Sequence, residues 1–497
     1  MLTGNQTVKF VFGLKVRALR IKKGLSFASL AEKTGLSISF LNEIEKGKKY
    51  PKADKILLLA ENLGVEYDDL VSLKLDPERE GLVLLLNSTF FREFPLEFFG
   101  LDAQKLLEIV SEAPDKVNAF IHAILEIVRN YDITRERFYF AALQAYQELR
   151  NNYFEEVEQQ VVAFRKAFHI HNTIPVDRKQ WYDILETHFQ VRIDKKAMPG
   201  KQALRDLRSY YHPESSTFYL NKGLNASQVG FLQGRELAFQ YMSLKDRPLQ
   251  TPLVETDSFE MALSNFQASY FSVALLMDEH EMVRDIKDLF KQKQWTPGSI
   301  ASLLRKYEAT PEMLMQRLTN LLPRHFGVKQ LFFLRFEGRP ELNLYHLTKE
   351  LHLAGHHHPH ANFLSEHYCR RWVAIQAIEK LYKQPQPEEV QVSAQLSSYH
   401  ETPNRYLCIS LAWRNNSSPE VFISVTIGFL ADEELLTKLK FANDPQIPRR
   451  LVHTTCERCS IADCRERAAA PALLEEQKQA DGIEEALREL VSAEIKK

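Results

Sequence analysis

The chain has 497 residues, of which 44% are hydrophobic and 26% are charged, and its net charge is −1. A chain of this length usually divides into several domains, because a single hydrophobic core stops growing at about 250–300 residues. No apolar run approaches the roughly 18 residues of a membrane span, and five cysteines are too few for a disulfide framework. These features argue against a membrane protein and a disulfide-rich secreted protein. We expect a cytoplasmic, multidomain, mainly α protein with α+β parts and no membrane partner.

Residues 8–75 are predicted to form a bundle of five short helices. Ser26 and Ser37 are suited to cap the second and third helices, and Gly35 supplies the positive φ of the turn between them. Residues 5–55 contain 12 Lys and Arg against 4 Asp and Glu. Two helices joined by a glycine turn in a basic segment are typical of a helix-turn-helix, which places its second helix in the major groove of DNA.

This segment resembles the Cro/CI-type (XRE) helix-turn-helix family along its whole length. The shared features are Leu30-Ala31, Gly35, the corner Ile44-Glu45-Lys46-Gly47, and Pro51. The resemblance implies that double-stranded DNA is the partner and that the third helix reads its bases. The implied base-reading residues are Ile38, Ser39, Asn42 and Glu43. The implied phosphate-binding residues are Ser26, Lys46, Lys48 and Lys49, with Phe27 and Ser37 on the same DNA-binding surface.

The residues of this segment leave two other interpretations open. On the first, the segment is a helical bundle without a DNA-binding role, and its charges serve only to keep it soluble. Glu43 is also suited to an ion pair within the domain, in place of a contact with cytosine.

Residues 76–174 show helical periodicity, with apolar faces that alternate with Glu, Lys and Arg. Long amphipathic helices after a DNA-binding domain often pair with a second copy, because two half-sites related by a two-fold axis require a dimer. The same faces are equally suited to packing on the next domain of the chain. We therefore expect a helical connector and, on the first interpretation, a homodimer.

Residues 175–322 are predicted to form an α+β domain, in which the stretch GRELAFQYM at 234–242 forms a helix. The order of strand, turn and helix resembles the ImmA/IrrE type of zincin-like metallopeptidase. In that family HExxH and a later Glu bind the metal, and the Glu within the motif is retained here as Glu236. The positions that match the three ligands are Arg235, Phe239 and Asn265. The resemblance implies a degenerate domain of this peptidase type.

The three side chains at these positions cannot hold Zn²⁺, which takes three or four N, S or O donors. Arg235 is a cation without a free lone pair, Phe239 has no donor atom, and Asn265 is a weak ligand. Glu236 would have no metal-bound water to deprotonate, so we expect it to pair with Arg235 or another nearby cation. The alternative function, a metallopeptidase that cleaves a repressor, is therefore disfavoured, and no enzyme activity is expected. A core helix without such ancestry also fits the pattern.

Residues 323–475 are predicted to form a second α+β domain, of a type that often holds small molecules. Four segments rich in β-branched and aromatic residues indicate a mostly antiparallel sheet with helices on one face. These segments are KQLFFLRFE, EVQVSAQL, RYLCISLAWR and EVFISVTIGF. The stretch HHHPH at 356–360 is interpreted mainly as a surface loop, with metal binding or a response to pH as alternatives.

The stretch HTTCERCSIADC near the end of the chain places Cys456, Cys459 and Cys464 as C-x2-C-x4-C. A C-x2-C pair directs two thiolates to one point, and Cys464 is near enough in sequence to join them. No cofactor is certain, but Zn²⁺ and an iron–sulfur cluster are the ones such thiolates hold, and His453 is a candidate fourth ligand. A redox-active thiol cluster and a compact turn with buried, reduced cysteines are the alternatives.

The complete pattern resembles the short-chain fatty acyl transcriptional regulator family. The tail residues Cys456-Glu457-Arg458-Cys459, Asp463-Cys464 and Arg467-Ala468 carry this resemblance together with the two domains named above. It implies a sequence-specific DNA-binding transcriptional regulator, with a short-chain acyl-CoA as the implied effector. Ser460 and the stretch RAAAP depart from the family pattern, which leaves the effector less defined than the class. Residues 476–497 are predicted to form a charged helix at the surface.

Overall fold

A computed structural model describes residues 4–72, 135–170, 173–252, 256–353, 366–385, 389–416 and 418–495. Its contacts divide the chain into two compact units, Met1–Tyr146 with Glu255–Ala262 and Gln147–Val254 with Leu263–Lys497. Much of the predicted connector at 76–174, and the whole HHHPH stretch at 356–360, lie outside the described residues. The five predicted domain boundaries therefore stay predictions.

Five short helices form the N-terminal part of the first unit, as predicted. Ser26 is the N-cap of the second helix and Ser37 of the third, and each hydroxyl accepts a hydrogen bond from the backbone N–H three residues later. Gly35 has a φ of 66°, the left-handed conformation that glycine adopts without a Cβ clash. The helices are α1 Gly4–Lys22, α2 Phe27–Thr34, α3 Ile38–Glu45, α4 Ala53–Leu63 and α5 Tyr67–Val71.

A small apolar core joins these helices, with Val16, Leu30 and Leu41 fully buried at its centre. Ile21, near the end of α1, is apolar but 58% exposed. It lies five residues after Val16, which places it about 140° away around the helix axis. A residue at that angle faces away from the core.

Helices α1 and α3 approach each other closely at Gly13. A Cβ atom on Gly13 would overlap the backbone carbonyl oxygen of Ile44, so the contact requires glycine. In the same interface, the Arg20 guanidinium donates to both carboxylate oxygens of Glu45, at 2.6 and 2.9 Å. Arg20 also lies over the Phe27 ring, 4.1 Å from its centroid. These contacts fix α3 on α1.

The first half of the second unit contains a four-stranded sheet with the order β1-β3-β2-β4. The β1–β3 pair is parallel, and β2 is antiparallel to both β3 and β4. The strands are β1 Arg192–Asp194, β2 Ser209–His212, β3 Thr217–Leu220 and β4 Gln250–Thr251. The α-helices described between residues 135 and 326 are α6 Arg135–Leu149, α7 Glu155–Ala167, α8 Lys179–Asp183, α9 Ala226–Tyr241, α10 Phe259–Leu276, α11 Glu279–Lys291, α12 Pro297–Tyr307 and α13 Pro311–Phe326.

Helix α9 contains the stretch GRELAFQYM. It begins with a capping box, in which Asn225 and Gln228 each accept a hydrogen bond from the other's backbone N–H. Its central residues, from Gly234 to Phe239, are all buried. A Cβ atom on Gly234 would overlap the side chain of Ser272 in α10, so the two helices pack with almost no space between them.

A six-stranded sheet with the order β10-β7-β8-β9-β5-β6 follows. All neighbours are antiparallel except β10 and β7, so the prediction of a mostly antiparallel sheet is confirmed. The four predicted strands are β5, β7, β8 and β9. The edge strands β6 and β10 were missed, because β6 mixes apolar residues with His, Thr, Lys and Glu, and β10 has only 4 residues. The strands are β5 Leu331–Arg339, β6 Leu344–His352, β7 Gln391–Tyr399, β8 Arg405–Arg414, β9 Phe422–Leu430 and β10 Arg449–Val452.

Helices cover both faces of this sheet, so the prediction of helices on one face was wrong. Phe332 and Phe336 of β5 share one apolar cluster with Ile378, which belongs to α14, Val373–Lys383. Arg335 points to the opposite face, since side chains alternate along a strand, and pairs with Glu312 of α13 at 3.3 Å. Central strands that are apolar at nearly every position are the sequence signal of such two-sided burial.

Two further helices complete the second unit, α15 Glu433–Lys438 and α16 Ala472–Ile495. The predicted charged terminal helix at 476–497 corresponds to α16, which starts four residues earlier. Throughout the described part of the chain, no helix combines the length and apolar character that a membrane span requires.

Candidate functional site

The outer surface of α3 carries most of the residues predicted to bind DNA. Ser39 is exposed, and Ile38 is 51% exposed, although it is a large apolar residue. Asn42 and Glu43 are half-buried on the same helix. Lys46, Lys48 and Lys49, which follow α3, are exposed as well.

The remaining predicted contacts have structural roles of their own. The hydroxyls of Ser26 and Ser37 accept capping hydrogen bonds at 3.1 and 3.2 Å, which places them at the N-termini of α2 and α3. The backbone N–H groups at such a terminus attract anions, so both serines are suited to lie beside a phosphate. Phe27 is half-buried and packs against the domain core, where its ring contacts Arg20.

A shallow hollow beside α3 adds a lysine that the sequence did not indicate. The ammonium groups of Lys49 and Lys55 lie 5.8 and 4.6 Å from the centroid of the Phe40 ring. Lys55 comes from the first turn of α4, so the fold alone brings it to this surface. The residues that line the hollow are Gly35, Leu36, Ser37, Ser39, Phe40, Glu43, Lys49 and Lys55.

Glu43 forms an ion pair with Lys49, with a distance of 2.8 Å and side chains 37% and 55% exposed. This is the arrangement that the sequence left open as an alternative to base contact. The pair is exposed, so it contributes roughly 0–1 kcal/mol and can open when DNA approaches.

The second unit brings together the three positions that were predicted to correspond to metal ligands of the peptidase family. The Arg235 guanidinium donates to the side-chain oxygen of Asn265 at 2.6 Å and to the hydroxyl of Thr251 at 2.7 Å. Its Cζ atom lies 5.5 Å from the centroid of the Phe239 ring. A cation of the chain itself therefore occupies the place where these side chains meet. Burial and the charge of Arg247 lower the pKa of Arg235 to about 10, which leaves it charged at neutral pH.

Glu236 pairs with Arg247 rather than with Arg235. The two carboxylate oxygens accept hydrogen bonds from Arg247 at 2.9 and 2.5 Å, and Gln240 donates a third. Glu236 is 1% exposed, so its charge is neutralised inside the protein. The Arg247 guanidinium also lies 3.9 Å from the Phe239 ring centroid. The predicted pairing of Glu236 with a nearby cation is confirmed, and the cation is Arg247.

All five cysteines are free thiols. Cys456 and Cys459 are buried, and Cys464 is half-buried. Among the residues that the structure describes, no three His, Cys, Asp or Glu side chains are already arranged as metal ligands. The predicted metal site at these cysteines is thus not preformed, and His453, the candidate fourth ligand, has an imidazole whose pKa is lowered mainly by burial.

Comparisons with known proteins bear on the N-terminal helices. Residues 13–75 match a family model described as a helix-turn-helix domain. An uncharacterized HTH-type transcriptional regulator of Bacillus subtilis, YazB, is 37% identical over 60 residues, which cover 12% of this chain and 87% of YazB. The chain belongs to the helix-turn-helix transcriptional regulators.

Two longer relatives extend the likeness. A propionyl-CoA carboxylase regulator of Cereibacter sphaeroides is 33% identical over 26% of each chain. The HTH-type transcriptional regulator RamB of Mycobacterium tuberculosis is 24% identical over 63% of this chain and 65% of RamB. The matches thus span about a quarter and just under two thirds of these two relatives.

Proposed function

We propose that this protein is a sequence-specific DNA-binding transcriptional regulator that acts in the cytoplasm. The observation that carries the proposal is the exposed face of α3, which presents Ile38, Ser39 and Asn42 outside a helix-turn-helix core. Exposed lysines follow directly after this helix, and a basic surface of this kind attracts the phosphate backbone of DNA. Base-reading side chains beside phosphate-binding ones are the two parts that specific binding requires.

Each side chain has a role that follows from its chemistry. Asn42 can form two hydrogen bonds with adenine, Ser39 can donate or accept one, and Ile38 suits contact with a thymine methyl group. Glu43 can accept from cytosine once Lys49 turns to a phosphate. The proposed phosphate-binding residues are Ser26, Ser37, Lys46, Lys48, Lys49 and Lys55.

We propose that the effector is a short-chain acyl-CoA, bound by the second unit. The support is the likeness to a propionyl-CoA carboxylase regulator, together with the α+β architecture of this unit. The active form is proposed to be a homodimer, since two half-sites in duplex DNA match a two-fold axis.

Residues 175–322 are proposed to be a degenerate ImmA/IrrE-type domain. The support is the meeting of Arg235, Phe239 and Asn265 at the positions that match the three ligands. A guanidinium repels a metal cation, and a phenyl ring has no lone pair to donate. The domain is therefore assigned a structural or sensing role, and peptidase chemistry is not part of the proposal.

Mobility shifts test the DNA-binding proposal with the segment upstream of the protein's own gene as the probe. The variants Asn42→Ala and Ser39→Ala should each weaken binding to this segment by about 1–3 kcal/mol and leave binding to unrelated DNA unchanged. Equal affinity of the wild type for all sequences, or unaltered binding by both variants, would contradict specific recognition.

The matched control is Lys48→Ala, which removes a proposed phosphate contact on the same surface. It should weaken binding to all sequences alike and reduce the slope of log affinity against log salt by about 1. A loss confined to the upstream segment would assign Lys48 to base recognition instead.

A further inference from the structure

The hollow beside α3 contains one carboxylate, two ammonium groups and one aromatic ring. The Glu43 carboxylate lies 2.8 Å from the Lys49 ammonium, which in turn lies 5.8 Å from the centroid of the Phe40 ring. The Lys55 ammonium lies 4.6 Å from the same centroid. The residues that line the hollow therefore carry one positive charge more than Glu43 compensates.

The Phe40 ring connects two segments of the bundle. It packs against the apolar core, which fixes its position. The face of an aromatic ring attracts cations, because its π electrons make that face negative. Lys49 belongs to the segment after α3 and Lys55 to the first turn of α4. The ring therefore keeps the two ammonium groups beside the same edge of α3.

The pair between Glu43 and Lys49 is easily exchanged for another contact. Its side chains are 37% and 55% exposed, so water solvates both charges and the pair contributes little to stability. A lysine that neutralises a phosphate of duplex DNA also releases a condensed counterion, which favours that contact. Lys49 can thus leave Glu43 for a phosphate, with Lys55 as a second cation for the same anion.

The base preference of Glu43 depends on whether its charge is compensated. An ionised carboxylate only accepts hydrogen bonds. In the major groove cytosine presents a donor at N4, whereas guanine and thymine present acceptors at O6, N7 and O4. A carboxylate without a cation is repelled by those acceptors and stabilised by cytosine. While Lys49 compensates the charge, Glu43 distinguishes the bases less.

We propose that Lys49 makes base recognition by Glu43 conditional on contact with a phosphate. In the free protein Lys49 pairs with Glu43. On DNA it moves to a phosphate beside Lys55, and the uncompensated Glu43 selects cytosine. Phe40 is the positioning residue for both ammonium groups. This inference rests on the proposed DNA-binding function and adds Lys49 as a residue that determines specificity.

A double-mutant cycle on DNA binding tests the exchange, with the full chain and the upstream segment as the probe. In the wild type, binding breaks the pair between Glu43 and Lys49, which offsets part of the phosphate contact. Lys49→Ala should therefore weaken binding more in the Glu43→Ala background than in the wild type. The excess should be about two- to fivefold, which is the range of an exposed ion pair.

Lys46→Ala is the matched control for this cycle. Lys46 is exposed beside α3, and the Glu43 carboxylate pairs with Lys49 instead. The effects of Lys46→Ala and Glu43→Ala on DNA binding should therefore be additive. All three side chains are at least partly exposed, so these variants should fold like the wild type.

Replacement of each base pair of the upstream segment in turn measures the base preference. Glu43→Gln should lose the preference for cytosine, because a neutral amide also donates hydrogen bonds. Lys49→Ala should keep this preference while it binds all sequences more weakly.

The positioning role of Phe40 has a separate measurement. Phe40→Leu should reduce the slope of log affinity against log salt and keep the preference for cytosine, because both lysines lose their orientation. Phe40→Tyr, which retains the aromatic face, should restore the slope. An unchanged slope in Phe40→Leu would contradict this role.

The outcomes separate this inference from the proposed function. Equal affinity of the wild type for all sequences would contradict both. Specific binding by the wild type together with additive effects of Lys49→Ala and Glu43→Ala overturns the exchange alone. The same holds if Lys49→Ala has the larger effect in the wild type or abolishes the preference for cytosine. Lys49 would then hold Glu43 in place on the DNA.

Discussion

Two glutamates of α3, two residues apart, form ion pairs that differ strongly in burial and in their importance for stability. Glu45 is 3% exposed and receives two hydrogen bonds from Arg20, whereas Glu43 is 37% exposed in its pair with Lys49. Removal of one partner from a buried pair leaves the other charge without compensation, while an exposed charge is solvated by water. The same residue type is therefore structural at one position and available for recognition at the other.

The substitution Glu45→Ala should destabilise the helix-turn-helix by about 3 kcal/mol, because the Arg20 guanidinium stays largely buried without its partner. The N-terminal helices contain none of the four tryptophans of the chain, so tryptophan fluorescence does not report on them. Hydrogen exchange of the α3 amides measures the effect instead. Their exchange should accelerate roughly a hundredfold. The matched control, Glu43→Ala, should change the opening free energy obtained from exchange by less than about 1 kcal/mol. Similar effects of the two variants would contradict the difference in burial.

At the scale of elements, the position of α3 depends on how closely α1 approaches it. Gly13 lies against the carbonyl oxygen of Ile44, near the C-terminal end of α3. Any side chain at this position would push the two helices apart. The caps at Ser26 and Ser37 fix where α2 and α3 begin, but the contact at Gly13 fixes how α3 is held for DNA.

The substitution Gly13→Ala should destabilise the N-terminal helices by about 2 kcal/mol through overpacking, and it should weaken DNA binding because α3 is displaced. Exchange of the α1 and α3 amides and mobility shifts measure the two effects. Gly298→Ala is the matched control, since a Cβ atom at this helical glycine meets nothing within 4 Å. It should be neutral or stabilising by up to about 1 kcal/mol. If Gly13→Ala has as little effect as the control, α1 and α3 do not approach each other closely at this position.

At the scale of the whole molecule, the proposed regulator contains two units with separate tasks. DNA recognition is assigned to the first unit and effector binding to the second, and regulation requires a free-energy coupling between them. Such coupling is reciprocal, since both ligands bias the same equilibrium. The reciprocity provides a direct test of this coupling.

Propionyl-CoA should change the affinity for the upstream DNA by about 5–150-fold, which corresponds to about 1–3 kcal/mol of coupling. The same DNA should change the affinity for propionyl-CoA by the same factor. Fluorescence anisotropy measures the first effect and calorimetry the second, with free coenzyme A as the control ligand. An effect in one direction without the other would show that two different species were measured. No effect in either direction would exclude this acyl-CoA as the effector.

The sequence by itself determined the local features of this protein. Ser26, Ser37 and Gly35 could be assigned as caps and turn, because a cap or a positive φ depends on the residue and its immediate neighbours. The inability of Arg235 and Phe239 to bind a metal could likewise be predicted, since the residue type alone decides whether a side chain has a lone pair to donate. Four of the six strands of the large sheet followed from β-branched and aromatic runs.

Only the tertiary structure decided which distant side chains meet. Lys55 beside α3, Arg247 as the partner of Glu236, and Cys369 beside the tail cysteines all come from segments that local patterns do not connect. The apolar runs of the central strands indicate that both faces of the large sheet are covered, but they do not indicate which helices cover them. Periodicity and propensity act over a few residues, whereas burial and ion pairing depend on packing between elements that the chain brings together only when it folds.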